Sequence, residues 1–395
     1  MKFARFDPEP CGFPNPRVPL LPNKTQFGLD RSASANTITQ FRHFTRGRYA
    51  LGEAYRLAGV GCEGALLAPA YHCVTMLDPA LALGADVQLY PLQTNLSPDP
   101  EKLDELLINY GKPVKALVAT HFFGVKQNFS WLKQWCVSHE ITLIEDGSHT
   151  LFTERFQAEG IGTYGEVVVA SPYKFFSCAD GGLFYSPKAH LLDDMKTKPA
   201  SLTDELRGLK SLFENSRTSM TRTYDSDAID TQLKAFRAHA PITGNERIIE
   251  RSHASAQYCG ALTKMASLRS SQFITHHSSI EANITRRKSN FRRWAQALKN
   301  VANCHALFPD LPEGCVPYMF PLYIDHPNPH FLWLKHLGVP IWRWDEMAIS
   351  NCPIAQDYRL HLLHLPCHQA LLESQMDWMI AACQKTLRLP VQGAR

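Results

Sequence analysis

"SPYKFFSCADGG", residues 171–182, places one lysine, Lys174, among small, aromatic and glycine residues. It follows the apolar run 167–170, which is typical of a buried strand. A lysine at the end of such a strand either extends back to solvent or takes part in chemistry as an amine. The stretch therefore raises the question of which strands and which other reactive residues surround Lys174.

Short apolar runs alternate with helical patterns through the first half of the chain. Helices are predicted from residue 46 onward and at 73–83, 99–110, 129–139 and 187–196. Strands are predicted at 65–68, 87–90, 114–120, 141–145, 166–171 and 182–185. This alternation predicts an α/β fold with a mainly parallel sheet covered on both faces. Because ligands in such folds bind beyond the carboxyl ends of the strands, residues just after each strand are the candidates for function.

The remaining segments suggest three parts. Residues 1–45 contain many prolines and little periodicity, which predicts an irregular N-terminal arm before a large α/β domain over 46–275. Residues 276–395 predict a smaller C-terminal α/β domain, with helices near 280–299, 329–337 and 369–388 and strands at 315–325 and 339–342. Residues 200–280 give no clear pattern.

Composition excludes several classes of function. The 395 residues are 45% hydrophobic and 20% charged, with a formal net charge of +4, so no basic patch for nucleic acid is predicted. The chain lacks a signal-peptide pattern and any long apolar run, so no membrane segment is expected. Its 11 cysteines contain no Cys-x-x-Cys pair, which favours reduced thiols in a cytoplasmic protein over disulfides or a zinc ribbon.

Three features lie where the predicted strands end or a helix begins. Asp146 follows a strand, Ser171 and Lys174 follow another, and a helix begins at Gly47 and Arg48. These residue types match the needs of pyridoxal phosphate (PLP), which requires a lysine for its Schiff base and an acid beside its ring nitrogen. A helix N-terminus with a nearby hydroxyl is suited to bind its phosphate group. The sequence therefore predicts a PLP site.

Six segments in this order resemble the DegT/StrS family of PLP-dependent aminotransferases: "GRYAL", "LLAPAYHC", "ATHFFG", "LIEDGSH", "SPYKFFSCADGG" and "LLHLPCHQAL". The resemblance runs from about residue 45 to about residue 370. It implies the type I aminotransferase fold, with a large domain built on a mainly parallel seven-stranded sheet. It also implies a homodimer that moves an amino group from an amino-acid donor to a keto acceptor. In that family the acceptor is often a nucleotide-linked keto sugar of polysaccharide or secondary-metabolite biosynthesis.

The resemblance also implies roles for individual residues. Lys174 would form the Schiff base and move the proton, and Asp146 would pair with the pyridinium nitrogen. His149 would lie near the ring hydroxyl. Ser171 would bind the phosphate with the backbone of two residues, Gly47 and Arg48. The loop 71–73 would supply a group that stacks on the ring, with His72 favoured over Tyr71.

The sequence departs from the family pattern in two places, which indicates a divergent branch. Ser171 and Lys174 are only three positions apart, and no asparagine-bearing segment that would reach the partner's phosphate is recognisable. Two alternative functions stay open. One is a lyase or dehydratase with the same cofactor, and the other is a non-catalytic regulatory or scaffold member.

Each site residue also has a structural alternative. Lys174 could extend to solvent, Asp146 could cap a helix, and His149 could be a buried structural histidine. A metal site formed by His361, His364 and His368 is not predicted, because Pro366 interrupts their spacing and no further ligands complete the set. "PIWRWDE", residues 340–346, could border the substrate entrance or belong to the core.

Overall fold

The computed structural model describes residues 1–28, 41–157, 159–193, 195–217, 224–238 and 244–391. Its strands are β1 (Lys2–Asp7), β2 (Phe41–Phe44), β3 (Ala65–Pro69), β4 (Val87–Tyr90), β5 (Val114–Thr120), β6 (Thr142–Gly147), β7 (Phe152–Thr153), β8 (Phe156–Gln157), β9 (Val167–Ala170), β10 (Gly182–Tyr185), β11 (Asn245–Glu250), β12 (Cys304–Ala306), β13 (Met319–Ile324), β14 (Glu346–Ala348) and β15 (Leu362–Pro366). Its helices are α1 (Gly47–Leu57), α2 (Val74–Ala82), α3 (Pro100–Tyr110), α4 (Ser130–Ser138), α5 (His190–Asp193), α6 (Leu202–Arg217), α7 (Asp227–Ala238), α8 (Arg269–His277), α9 (Ile280–Leu298), α10 (Pro327–Leu337), α11 (Pro353–His361) and α12 (Glu373–Leu387).

The largest sheet has seven strands in the order β2-β10-β9-β6-β5-β3-β4. The strands from β9 to β4 run parallel to one another, and β10 runs antiparallel to both β9 and β2. Strands such as β9 are buried at every position, as expected where both faces of a parallel sheet are covered. The predicted α/β fold with a mainly parallel seven-stranded sheet is confirmed.

Helix α1 links the sheet to the candidate site. It begins at Gly47, directly after β2, and buries Tyr49, Ala50, Ala54 and Tyr55 at helical spacing. This apolar face packs on α2, β9 and β10. The first turn of α1 therefore lies beside the carboxyl end of β9, close to Lys174.

A second sheet, β12-β13-β15, is antiparallel and forms the core of the C-terminal part of the chain. It packs with α9, α10 and α12 around large apolar side chains that include Phe291, Trp294, Phe320 and Trp378. Within the described residues, no helix combines the length and the apolar composition that crossing a bilayer requires.

Two local predictions are wrong. Residues 1–45 are not irregular throughout, because they contain β1 and β2. Since β1 pairs with β11 and β14, with Lys2 opposite Glu250, its partners lie too far along the chain for a local pattern to show them. Residues 339–342 form only a single bridge, between Trp342 and His364, and Pro340 has no N–H to extend the pairing. The domain boundaries after residues 45 and 275 stay a prediction.

Candidate active site

A cavity of about 210 Å³ lies at the carboxyl ends of β5, β6 and β9 and beside the start of α1. Every predicted site residue except His72 lines it: Gly47, Arg48, Asp146, His149, Ser171 and Lys174. We call the side formed by Gly47, Asp146, Ser148, Ser171 and Lys174 the strand-end wall. The facing side, which we call the aromatic wall, consists of Tyr318, Trp344 and His364.

Lys174 reaches the cavity through a short turn after β9. The fully buried strand ends at Ala170, and one turn of 3₁₀-helix over Pro172–Lys174 follows. The turn is closed by a hydrogen bond of 3.0 Å from the Lys174 N–H to the Ser171 carbonyl. The Nζ atom lies 5.3 Å from the centre of the Tyr318 ring, within the range of a cation–π contact. Within the described residues, the amine makes no ion pair with a carboxylate, so it is available to a ligand.

Asp146 places a buried carboxylate at the end of β6. Its Oδ1 accepts a hydrogen bond of 2.9 Å from the Ser148 N–H, and its Oδ2 lies 3.5 Å from the Thr120 hydroxyl. Two donors leave acceptor capacity on an ionised carboxyl group, which can take about four hydrogen bonds. A protonated ring nitrogen in the cavity would satisfy that remaining capacity.

The start of α1 forms a cradle for an anion. Its first N–H groups have no partner within the helix, and Arg46 at the N-cap provides no side-chain cap. A Cβ atom built on Gly47 would lie 2.2 Å from Ser171 Oγ and 3.2 Å from Ser148 Oγ, so a larger residue there would displace the Ser171 hydroxyl. Both serines are more than nine-tenths buried, and their hydroxyls make no hydrogen bond within the described residues. Two hydroxyls and a helix N-terminus thus converge on one point, an arrangement that fits a phosphate group.

His149 lies between the two walls. Its ring stacks on Tyr318 with centroids 4.7 Å apart, and its Nδ1 accepts a hydrogen bond of 3.3 Å from the Phe123 N–H. Burial, together with the nearby Lys174 cation and His364, lowers the pKa of His149 well below its usual value. The neutral ring therefore carries its proton on Nε2, where it can donate a hydrogen bond.

His364 is the polar member of the aromatic wall. Its Nε2 lies 2.9 Å from the Tyr71 hydroxyl, and the Tyr71 ring packs against Trp344 with centroids 4.4 Å apart. Burial and the Lys174 cation lower the pKa of His364 to about 3, so it stays neutral at physiological pH. One ring nitrogen of His364 is therefore already occupied by a protein hydroxyl.

His72 does not lie in the cavity, which contradicts the prediction that it faces the cofactor ring. The side chain is fully buried, and its Nδ1 lies 3.0 Å from the Pro69 carbonyl. Its Nε2 accepts a hydrogen bond of 3.2 Å from the Ala348 N–H, which ties this loop to β14. Both ring nitrogens are thus used by the backbone, and burial lowers the pKa of His72 to about 4. From this loop it is Cys73, not His72 or Tyr71, that lines the cavity.

The remaining histidines of the C-terminal motif point to separate partners. His361 Nδ1 lies 2.8 Å from the Ile324 carbonyl, and His368 Nε2 lies 3.0 Å from the Pro19 carbonyl. Together with the bond between His364 and Tyr71, these contacts separate the three rings. In the part of the chain that the structure describes, no group of side chains is arranged as a metal site.

The segment 340–346 combines both of its predicted roles. Trp344 is buried in the aromatic wall, whereas Trp342 is 52% exposed and borders both this cavity and a neighbouring one. Arg343 points the other way, is buried, and binds Asp345. The tryptophans therefore belong to the edge of the site, and the arginine belongs to the core beside it.

Several cavity residues were missed in the sequence. Ser148 lies between Asp146 and His149, and its position two residues beyond a functional carboxylate was the available signal. Tyr318 offered no local signal, because it reaches the cavity through contacts between distant segments, whereas Trp344 lies in the segment 340–346 that the sequence places either at the substrate entrance or in the core. Thr120 ends a predicted strand and could have been found by the same rule that identified Asp146.

Residues 43–203 match the model of the DegT/DnrJ/EryC1/StrS aminotransferase family. The predicted resemblance is thereby confirmed, and the matched segment contains Gly47, Asp146, Ser171 and Lys174. A curated relative, the UDP-4-amino-4,6-dideoxy-N-acetyl-beta-L-altrosamine transaminase of Campylobacter jejuni, is 25% identical over 149 residues. That alignment spans 37% of this chain and 39% of the relative's length.

Several solved structures share the fold. The aminotransferase TlmJ of Streptoalloteichus hindustanus superposes with a TM-score of 0.58 at 19% identity, over 88% of this chain and 86% of its own. DesV of S. venezuelae gives a TM-score of 0.60 at 16% identity, over 95% of this chain and 100% of DesV. A putative sugar aminotransferase of Streptococcus pneumoniae in its PLP form superposes with a TM-score of 0.60 at 13% identity. The superposition covers 95% of this chain and 97% of that structure. At these identities, the likeness establishes the fold of the DegT aminotransferases for this chain.

Proposed function

We propose that the protein is a PLP-dependent aminotransferase that moves an amino group from an amino-acid donor to a keto acceptor. One observation carries the proposal. Lys174, Asp146 and the anion cradle at Gly47 line the same cavity at the carboxyl ends of the strands. The match of residues 43–203 to the model of an aminotransferase family supports it independently.

The cavity offers a separate group for each end of PLP. The N–H groups of Gly47 and Arg48 and the hydroxyls of Ser148 and Ser171 would hold the phosphate. Asp146 would hold the protonated ring nitrogen on its free acceptor positions. When bound there, PLP supplies an electron sink for the negative charge that develops at Cα of the donor.

The reaction then depends on what the protein's own side chains do. Lys174 would bind the aldehyde with loss of water. Once the amine of the donor has taken its place on that carbon, the released Lys174 amine would accept the proton from Cα of the donor and deliver it during transfer. His149, protonated on Nε2, would donate a hydrogen bond toward the hydroxyl of the ring. Tyr318 and Trp344 would exclude water, which strengthens the electrostatic contacts within the site.

The acceptor in this proposal is a nucleotide-linked keto sugar of polysaccharide or secondary-metabolite biosynthesis. Its support is the name of the Campylobacter jejuni relative, a UDP-sugar transaminase, and the sugar aminotransferase among the structural neighbours. Both are similar to this chain at low identity. Small molecules, and neither nucleic acid nor a membrane, are therefore the proposed partners.

We further propose a cytoplasmic homodimer. All eleven cysteines are free thiols, which suits a reducing compartment. Helix α6 exposes Leu202, Leu206, Leu209 and Phe213, spaced four, three and four residues apart. Such spacing places them on one side of the helix, a surface that a second copy of the chain could cover. Light scattering of the purified protein would give twice the monomer mass if this is correct.

Product analysis tests the proposed reaction. The protein with PLP is incubated with ¹⁵N-glutamate or ¹⁵N-glutamine and a panel of nucleotide-linked keto sugars, and products are identified by mass. Label in an amino sugar supports transamination. Loss of water or cleavage of the donor without transfer would indicate the lyase or dehydratase, and no turnover by a protein that binds PLP would favour the non-catalytic alternative.

A further inference from the structure

Arg287, in the middle of α9, is fully buried and extends toward the underside of the cavity. A guanidinium has five N–H donors, and each is used here. Its acceptors are all neutral oxygens: Gln369 Oε1 at 2.8 Å from Nε, the carbonyls of Pro317 at 3.1 Å and Tyr318 at 3.3 Å from Nη1, and the carbonyls of Lys174 at 3.0 Å and Phe175 at 3.4 Å from Nη2.

A cation in this position carries an energetic cost. Burial lowers the pKa of Arg287 to about 10, so the group stays charged at neutral pH. Removing a charge from water is unfavourable, and neutral carbonyls compensate for that loss less well than a carboxylate would. An apolar side chain could fill the same space without this cost. The directional fork of hydrogen bonds is therefore what the arginine contributes.

The fork joins the two backbone segments that carry Lys174 and Tyr318. The Lys174 N–H is already held by the Ser171 carbonyl at 3.0 Å, on the side of the large sheet. Arg287 holds the carbonyl of the same residue from the opposite side. Gln369 reinforces this contact, because its Nε2 donates a 2.7 Å hydrogen bond to the Phe175 carbonyl. The backbone of Lys174 is thus fixed at both ends, while its amine stays free in the cavity.

We propose that Arg287 is a positioning residue that places the amine of Lys174 for bonding to the aldehyde of PLP. The inference rests on the proposed function, in which Lys174 binds PLP. Within the described residues, the guanidinium of Arg287 donates to the backbone carbonyls beneath the cavity and to Gln369, and it lies over the Phe175 ring. Because the guanidinium makes no hydrogen bond to the anion cradle or to Asp146 within the described residues, we expect its main effect on the covalent part of cofactor binding.

Two cofactor forms separate these contributions. PLP can bond to Lys174, whereas pyridoxamine phosphate has the same ring and phosphate but no aldehyde. Dissociation constants for both are measured by visible absorbance and calorimetry on the wild type and on Arg287→Lys. A lysine has its donors on one nitrogen and cannot bridge both segments. We expect PLP to bind roughly 10-fold more weakly and pyridoxamine phosphate to bind within about twofold of the wild type.

A second variant and a control complete the test. Gln369→Leu removes the hydrogen bond to the Phe175 carbonyl, which Arg287 also holds, and should weaken the binding of PLP but not of pyridoxamine phosphate by roughly threefold. This variant provides the test if Arg287→Lys does not fold. Arg343→Lys is the matched control, since Arg343 is also a buried arginine but binds Asp345 outside the cavity. Arg343→Lys should leave the dissociation constants of PLP and of pyridoxamine phosphate within about twofold of the wild-type values.

The outcomes distinguish positioning from packing. A selective loss of PLP affinity in both variants supports the inference. An equal loss for the two cofactor forms would mean that Arg287 only holds the cavity together, and unchanged binding of both would mean that it has no role there. Either result overturns the inference and leaves the proposed function intact. A wild-type protein that binds neither form would overturn the proposed function, and the inference with it.

Discussion

On the strand-end wall, the hydroxyls of Ser148 and Ser171 and the amine of Lys174 face the cavity without protein partners among the described residues. On the aromatic wall, by contrast, His364 is already bonded to the Tyr71 hydroxyl. Leaving buried polar groups unsatisfied is unfavourable, so a folded chain retains them chiefly where a ligand completes their hydrogen bonds. The comparison favours the proposal that the strand-end wall binds the cofactor and that the aromatic wall shapes the cavity and excludes water from it.

Removing the amine of Lys174 should produce the largest change on the strand-end wall. Lys174→Ala loses both the bond to the aldehyde and the base that moves the proton. A positioned base contributes roughly 10²- to 10⁴-fold in rate, so transamination should fall by at least that factor. Steady-state rates on the best acceptor, compared with Lys133→Ala on the surface helix α4, would check this. Full turnover by Lys174→Ala would rule out the role.

Neutralising Asp146 should have the next largest effect. Asp146→Asn keeps the size of the side chain and can still accept from the Ser148 N–H, but it carries no charge to hold a protonated ring nitrogen. We expect kcat to fall by roughly 10²-fold, as for loss of one charge-stabilising group, while PLP still binds. An unchanged kcat in Asp146→Asn would show that the Asp146 side chain serves only to hold the turn after β6 through the Ser148 N–H.

These two predictions concern the region that the sequence described well. Asp146 lies at the end of β6, and Ser171 and Lys174 follow β9 within four positions, so a local pattern of buried strand and polar end was sufficient to predict that these residues lie together. Ser148 was missed because its role depends on the approach of Gly47 from another element.

The aromatic wall could not be predicted in the same way. All five residues of β15 are buried, so no alternation marks His364 as the one that reaches the cavity. Trp344 lies in a segment without regular pairing, and Arg287 resembled the other basic residues of α9 in the sequence. The error at His72 has a related cause, because a histidine in a loop gives no sign that backbone groups will occupy both of its nitrogens.

The two serines provide a finer test of the cradle. Ser148→Ala and Ser171→Ala each remove one hydroxyl donor to a charged phosphate, which should weaken PLP binding by roughly 10-fold. Ser267→Ala removes a similarly buried hydroxyl outside this cavity and should leave PLP affinity unchanged. PLP affinity is measured by absorbance. If Ser267→Ala lowers the affinity for PLP as much as Ser148→Ala and Ser171→Ala do, the two serines do not form a phosphate cradle.

The smallest predicted effect concerns stability in acid. Burial holds the pKa of His72 at about 4 and that of His364 at about 3, below the value of about 6.5 in an unfolded chain. Because the unfolded state binds more protons in this range, stability is fully present above about pH 6.5 and is lost as the pH falls toward the folded values. Urea unfolding of the wild type should show this decline between pH 7 and pH 5. The stability of His72→Gln should decline less steeply over the same pH range. Equal declines in the variant and the wild type would contradict the lowered pKa of His72.

The most direct test of the account is chemical identification of the residue that binds the cofactor. The visible absorbance of the protein with PLP is recorded before and after borohydride, and the peptides are then analysed by mass. The account predicts a yellow protein that loses its colour on reduction and carries the pyridoxyl mass on Lys174. A protein that stays colourless with added PLP, or a pyridoxyl group on a different lysine, would contradict it.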